Sequence, residues 1–104
     1  MTEEFDRVVG RLANHVAHWT PPRWAASSAS RPGSRADAMF ALVQQIADLA
    51  ATAEGQPLRR VPRLDNDLAL PDQLRVVAGD LAATRDADAI RAATAMIAAL
   101  NASI

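Results

Sequence analysis

The stretch Ser34-Arg35-Ala36-Asp37-Ala38-Met39-Phe40-Ala41-Leu42-Val43-Gln44-Gln45-Ile46-Ala47-Asp48-Leu49-Ala50-Ala51-Thr52-Ala53-Glu54-Gly55 decides the fold class. Ser34 with Asp37 three residues on resembles a capping box, Asp standing where Glu or Gln is usual. Behind it Met39, Phe40, Val43, Ile46, Ala47, Ala50 and Ala53 recur at spacings of three and four, so one apolar face runs the length of a helix. Gly55 suits the residue after a helix end, and Pro57 forbids continuation. The spacing predicts a helix over residues 35–54.

Working outward, Phe5, Val8, Val9, Leu12, Val16 and Trp19 mark a first helix over residues 2–18, with Thr2 as cap and Glu3, Glu4 and Asp6 at its positive end. Pro21 and Pro22 stop it. On the other side, Pro71 suits the first turn of a helix over residues 71–83 carrying Leu74, Val77, Ala78 and Leu81. A fourth, over residues 86–101, starts at a cap from Asp86 or Thr84 and presents Ile90, Ala93, Ile97 and Leu100, with Met96 flanking. The short junction between these last two predicts an antiparallel hairpin. Residues 19–34 and 55–70 are rich in Pro, Ser, Gly and Arg without a period, and read as two long loops. Leu58, Val61, Leu64 and Leu68 are expected to pin the second loop to the helices. The expected fold is all-α: a small four-helix bundle or an orthogonal four-helix array, in one domain over residues 1–104.

Composition agrees with this class and narrows the chemistry. Alanine is the most frequent residue and aromatics are only 4%, so helices are favoured and the core is thin for its length. Asp48-Leu49-Ala50-Ala51-Thr52 recurs as Asp80-Leu81-Ala82-Ala83-Thr84, but in an alanine-rich chain this supports no duplication. With no cysteine there is no disulfide, thiolate metal site or cysteine nucleophile. The acidic start Met1-Thr2-Glu3-Glu4-Phe5-Asp6 leads into no apolar signal region, and no apolar run reaches the roughly 20 residues of a membrane span. Cytoplasmic residence is expected.

Charge is unevenly laid out. Lysine is absent, so all 11 cations are arginines. Six of them fall in two runs that contain no acid: Arg23, Arg31 and Arg35 between Thr20 and Arg35, and Arg59, Arg60 and Arg63 between Gly55 and Leu64. The other five face all 12 acids elsewhere. In an up-down-up-down bundle the two basic loops would sit at opposite ends; another topology, or loops folding back, would merge them.

Few residues carry recognisable chemistry. His15 and His18 are three apart on the expected first helix and would need a third ligand from a neighbour to hold a metal; no His-Glu-x-x-His or Glu-x-x-His pattern supplies one. His18 is better placed to meet the last carbonyls of its helix. The four glycines are isolated and form no phosphate loop, the loop serines lack a nucleophile elbow, and Asp65 and Asp67 lack the rest of a calcium loop. No enzymatic activity and no cofactor are expected.

Trp19 and Trp24 flank Pro21-Pro22. Trp19 continues the apolar stripe and is expected to anchor the loop, whereas Trp24 beside Arg23 has the composition of a binding hot spot. The expected function is therefore a non-enzymatic protein–protein interaction module, a homo-oligomer or an accessory subunit. Trp24, Leu58, Arg59, Arg60, Val61 and Arg63 are its expected contacts. The alternative is nucleic-acid binding by the loop arginines with Trp24 stacked on a base.

Overall fold

The computed structural model describes residues 2–29 and 31–104. The elements are α1 (Thr2–Val16), α2 (Pro21–Ala25), α3 (Arg35–Ala53), α4 (Leu70–Thr84) and α5 (Ala87–Ser103), with a 3-10 turn over Asp67–Ala69 before α4. The chain is all-α, as the periodicity predicts; among the described residues the only extended pairing is one isolated bridge, Ser27 to Ser34.

Local chemistry explains most boundaries. At the head of α3 the capping box is complete: Asp37 N donates to Ser34 Oγ at 3.0 Å and Ser34 N donates to Asp37 Oδ2 at 3.0 Å. A shorter Asp therefore does the work of the usual Glu. At its far end Gly55 adopts φ 68, the left-handed conformation that suits a residue without Cβ. The cap of α5 is Asp86, whose Oδ1 accepts from Ala89 N at 3.0 Å. Thr2, the expected cap of α1, has its side chain outside the described residues.

Two boundaries differ from expectation. The first helix ends at Val16, two residues early, because Pro21 holds Thr20 extended at ψ 161 and the chain must leave the helix before it. The first connection is not bare loop. Pro21 and Pro22, at the positions where helices accept proline, start a single turn that swings Trp24 inward. Beyond it, Ser28 N donates to Gly33 O at 2.9 Å and Arg35 N to Ala26 O at 2.8 Å, so the chain closes on itself before entering α3.

The second connection sets the topology. Leaving α3 at Gly55, it runs back beside that helix in the opposite direction. Gln44 Oε1 accepts from Val61 N at 2.8 Å, Gln44 Nε2 donates to Arg59 O at 3.0 Å, and farther down Arg63 reaches Asp37. Gln73 Nε2 ties the same strap to α4 by donating to Pro62 O at 2.9 Å. Hence α4 begins at the end where α3 begins, and the two lie parallel and packed together. His15 meets Asn101 and Glu4 lies near Ile90, so α1 and α5 are parallel as well. Each long helix has two main neighbours: α1 touches α4 and α5, and α3 touches α4 and α5.

This corrects one expectation and decides between two alternatives. The last two helices do not form a packed hairpin; α4 and α5 touch sparsely, because Arg85 in the left-handed region (φ 57) turns the chain sharply and α5 crosses to α1. Of the arrangements left open for the two connections, the second folds back: the strap brings it to the start of α3, where the first connection ends. The core between the helices holds Phe5, Leu12, Met39, Ile46, Leu74, Leu81 and Ile97, each almost fully buried. Each contributes about 1.5–3 kcal/mol.

Candidate functional site

Among the described residues, the exposed large apolar side chains lie on the strap and α4. Leu58, Leu64, Leu68 and Val76 are 62%, 45%, 47% and 64% exposed. Only Val61 of the four residues expected to pin the strap packs on the core; Leu58, Leu64 and Leu68 face out. The reason is that polar bonds hold the strap instead. Gln44 and Gln73 bind its backbone, which leaves the leucines free of that task.

Two shallow depressions lie side by side here, sharing Val61 and Val77. One, about 310 Å³, is walled by Pro62, Leu64, Ala69 and Val76 and is nearly all apolar. The other, about 480 Å³, has an alanine floor from α3 and charged walls: Glu54 and Asp80 face Arg59 and Arg60. Both arginines are exposed and neither makes an ion pair among the described residues.

Arg63 behaves differently from its neighbours. Its Nη1 lies 3.1 Å from Asp37 Oδ1, its Nη2 3.6 Å from Asp67 Oδ1, and its guanidinium covers Phe40 at 5.0 Å from the ring centroid. It is a clasp between strap and α3, with its charge already matched, and not the free contact expected of it. At the other end of the clasp, the Ser34 backbone N–H above all holds the Asp37 carboxyl below its ordinary value; burial opposes it, and Arg63 and the Ser34 hydroxyl add to the lowering.

Trp24 is the largest correction. It is fully buried, stacked edge-to-face on Trp19 with centroids 4.9 Å apart, and offers nothing to a partner. Its indole Nε1 is buried without a hydrogen-bond partner, a cost of about 1–3 kcal/mol that the burial of so large a ring offsets. Trp19 is the anchor expected of it, 4% exposed. Arg23 and Arg35 lie 4.9 and 5.3 Å from its centroid and His15 meets it edge-on at 5.8 Å.

The two histidines do not share a site. His15 stays on α1 and its Nδ1 lies 2.7 Å from Asn101 Oδ1 of α5, while His18 falls beyond the shortened helix, exposed and bonded to none of its last carbonyls. No group of three possible metal ligands occurs among the described residues. No described helix is long and apolar enough to cross a membrane.

Sequence reasoning missed Leu64, Leu68 and Val76 as surface residues. For Val76 a signal existed: the stripe Leu74, Val77, Ala78 and Leu81 leaves it off the buried face. No family model, curated protein or solved structure matches the chain.

Proposed function

We propose that the chain is a non-enzymatic, cytoplasmic protein–protein interaction module, acting as a homo-oligomer or as an accessory subunit, and that its contact surface is the strap–α4 face. The observation that carries this reading is the exposure of Leu64 and Val76 in the wall of one apolar depression, with Leu68 exposed next in the chain to its Ala69. Large apolar side chains gathered in one place, rimmed by charge, are how an association surface differs from scattered exposed leucines. Covering them in a complex removes apolar area from water at about 25 cal/mol per Å². Of the contacts read from the sequence, Arg59, Arg60 and half-buried Val61 belong to this face; Leu58 is exposed on the strap beside Gln44 and Asp48 of α3, and Trp24 and Arg63 are withdrawn.

Light scattering coupled to size exclusion, over a concentration series, tests the reading. An assembly that Val76→Glu and Leu68→Glu return to monomer supports self-association. A monomer that captures a partner, with capture lost in the same variants, supports the accessory subunit. A monomer at high concentration that captures nothing ends the proposal. The nucleic-acid alternative has lost its stacking residue to the core and Arg63 to two carboxylates, and no observation here favours it.

A further inference from the structure

At the end of the bundle where α1 stops and α3 starts, Arg23 and Arg35 are both held against the Trp19 ring, their Cζ atoms within 4.9 and 5.3 Å of its centroid. They are therefore no more than about 10 Å apart, within one Debye length at ordinary salt. Neither makes an ion pair or donates a side-chain hydrogen bond within the described residues, unlike Arg63, Arg75 and Arg91. Between Thr20 and Arg35 the chain has no acid to neutralise them.

The contact with the indole accounts for where the two charges sit but gives their N–H donors no hydrogen-bond partner. A guanidinium laid on a ring keeps its N–H donors in its own plane, pointing away from the aromatic. Two such forks held at one ring bring two positive charges and a double set of donors into one place. A carboxylate needs only one fork. A dianion with three terminal oxygens needs two, and a phosphate monoester, with about −1.5 to −2 charges at pH 7, has that chemistry.

We propose that the free edges of Arg23 and Arg35, held over Trp19, bind a phosphate monoester. The site uses no residue of the strap–α4 face, so it stands or falls independently of the proposed function. Trp19, in contact with both arginines, reports on binding.

The test titrates the full chain at pH 7 with phenyl phosphate and with a phosphoserine peptide, following tryptophan fluorescence and, separately, the heat of binding, at constant ionic strength set with chloride. The expected result is saturable binding, with a dissociation constant for phenyl phosphate on the order of 1 mM. Arg23→Gln and Arg35→Gln each weaken it tenfold or more, while Arg59→Gln leaves it unchanged. A peptide binding at least tenfold more tightly than phenyl phosphate assigns the phosphate to a protein partner, and equal affinities assign it to a small molecule; both support the site. The heat measurement keeps the comparison valid where removing an arginine alters the fluorescence itself, and circular dichroism confirms that the variants fold. Chloride matching the effect of phosphate, equal weakening by Arg59→Gln, or a single-stranded oligonucleotide binding where the monoester does not overturns the proposal.

Discussion

Replacing Gln44 by alanine isolates what holds the strap. Gln44 makes three side-chain hydrogen bonds: it accepts from Val61 N at 2.8 Å, donates to Arg59 O at 3.0 Å, and donates to Asp48 Oδ1 at 2.8 Å. The first two cross to the strap, and each is worth about 1 kcal/mol net. The third is an i,i+4 pair on one helix, worth about 0.2–0.5 kcal/mol, and the better helix propensity of alanine returns a similar amount. These last two effects cancel, so the loss is about 2 kcal/mol. In a domain of this size that lowers the melting temperature by roughly 10 °C. Urea denaturation followed by circular dichroism gives the free energy, and amide hydrogen exchange gives its location. The Val61 amide, half-buried and bonded to Gln44 alone, loses protection by a larger factor than the core amides of α3. A loss under about 0.5 kcal/mol with unchanged exchange at Val61 would refute the view that these bonds hold the strap.

Three further outcomes follow from the geometry. Trp24→Ala empties the site of a fully buried ring and lowers stability by about 3–5 kcal/mol, measured by denaturation, whereas a change below 1 kcal/mol would mean the ring is not core. Gly33→Ala forces a side chain into φ 103 and puts its Cβ 2.7 Å from Asp37 Oδ2; a loss of about 1–3 kcal/mol is expected, and Gly10→Ala, with open space around it, serves as the harmless control. Asp37 titrates below its ordinary value in the folded chain, so its contribution is complete above the unfolded value of about 3.9 and is lost as pH falls through the folded one. Asp37→Asn should therefore flatten the acid limb of the stability curve, and an identical pH dependence in variant and parent would show the carboxylate is uncoupled from folding.

What the sequence made legible was what repeats or caps. Ser34 and Asp37 marked the head of α3, and the stripes of α3, α4 and α5 located the buried faces, because helical period and local capping are properties of neighbouring residues. The rest depended on contacts between residues far apart. The one-turn helix holding Trp24 is too short to show a period, so a buried tryptophan looked like a surface one. The ordering of the strap rests on Gln44 and Gln73, polar residues that a hydropathy reading places on the solvent face. The same blindness misassigned Leu64 and Leu68 to the interior. Junction length did not fix helix pairing either, since a sharp turn at Arg85 permits several crossings and packing against α1 selects among them.

The arrangement of α1 against α4 and α5 carries a kinetic consequence. An up-and-down bundle closes its contacts in the order of synthesis, each new helix docking on its predecessor. Here the side chains that bridge α1 to its neighbours pair Asn14 with Arg75 and His15 with Asn101, across most of the chain. Helix α1 therefore keeps its apolar stripe unsatisfied until α4 and then α5 have been made. Such non-local closure slows folding relative to a hairpin-built bundle of equal length. The unit of α3, strap and α4, whose contacts are nearer in sequence, is where structure should first appear.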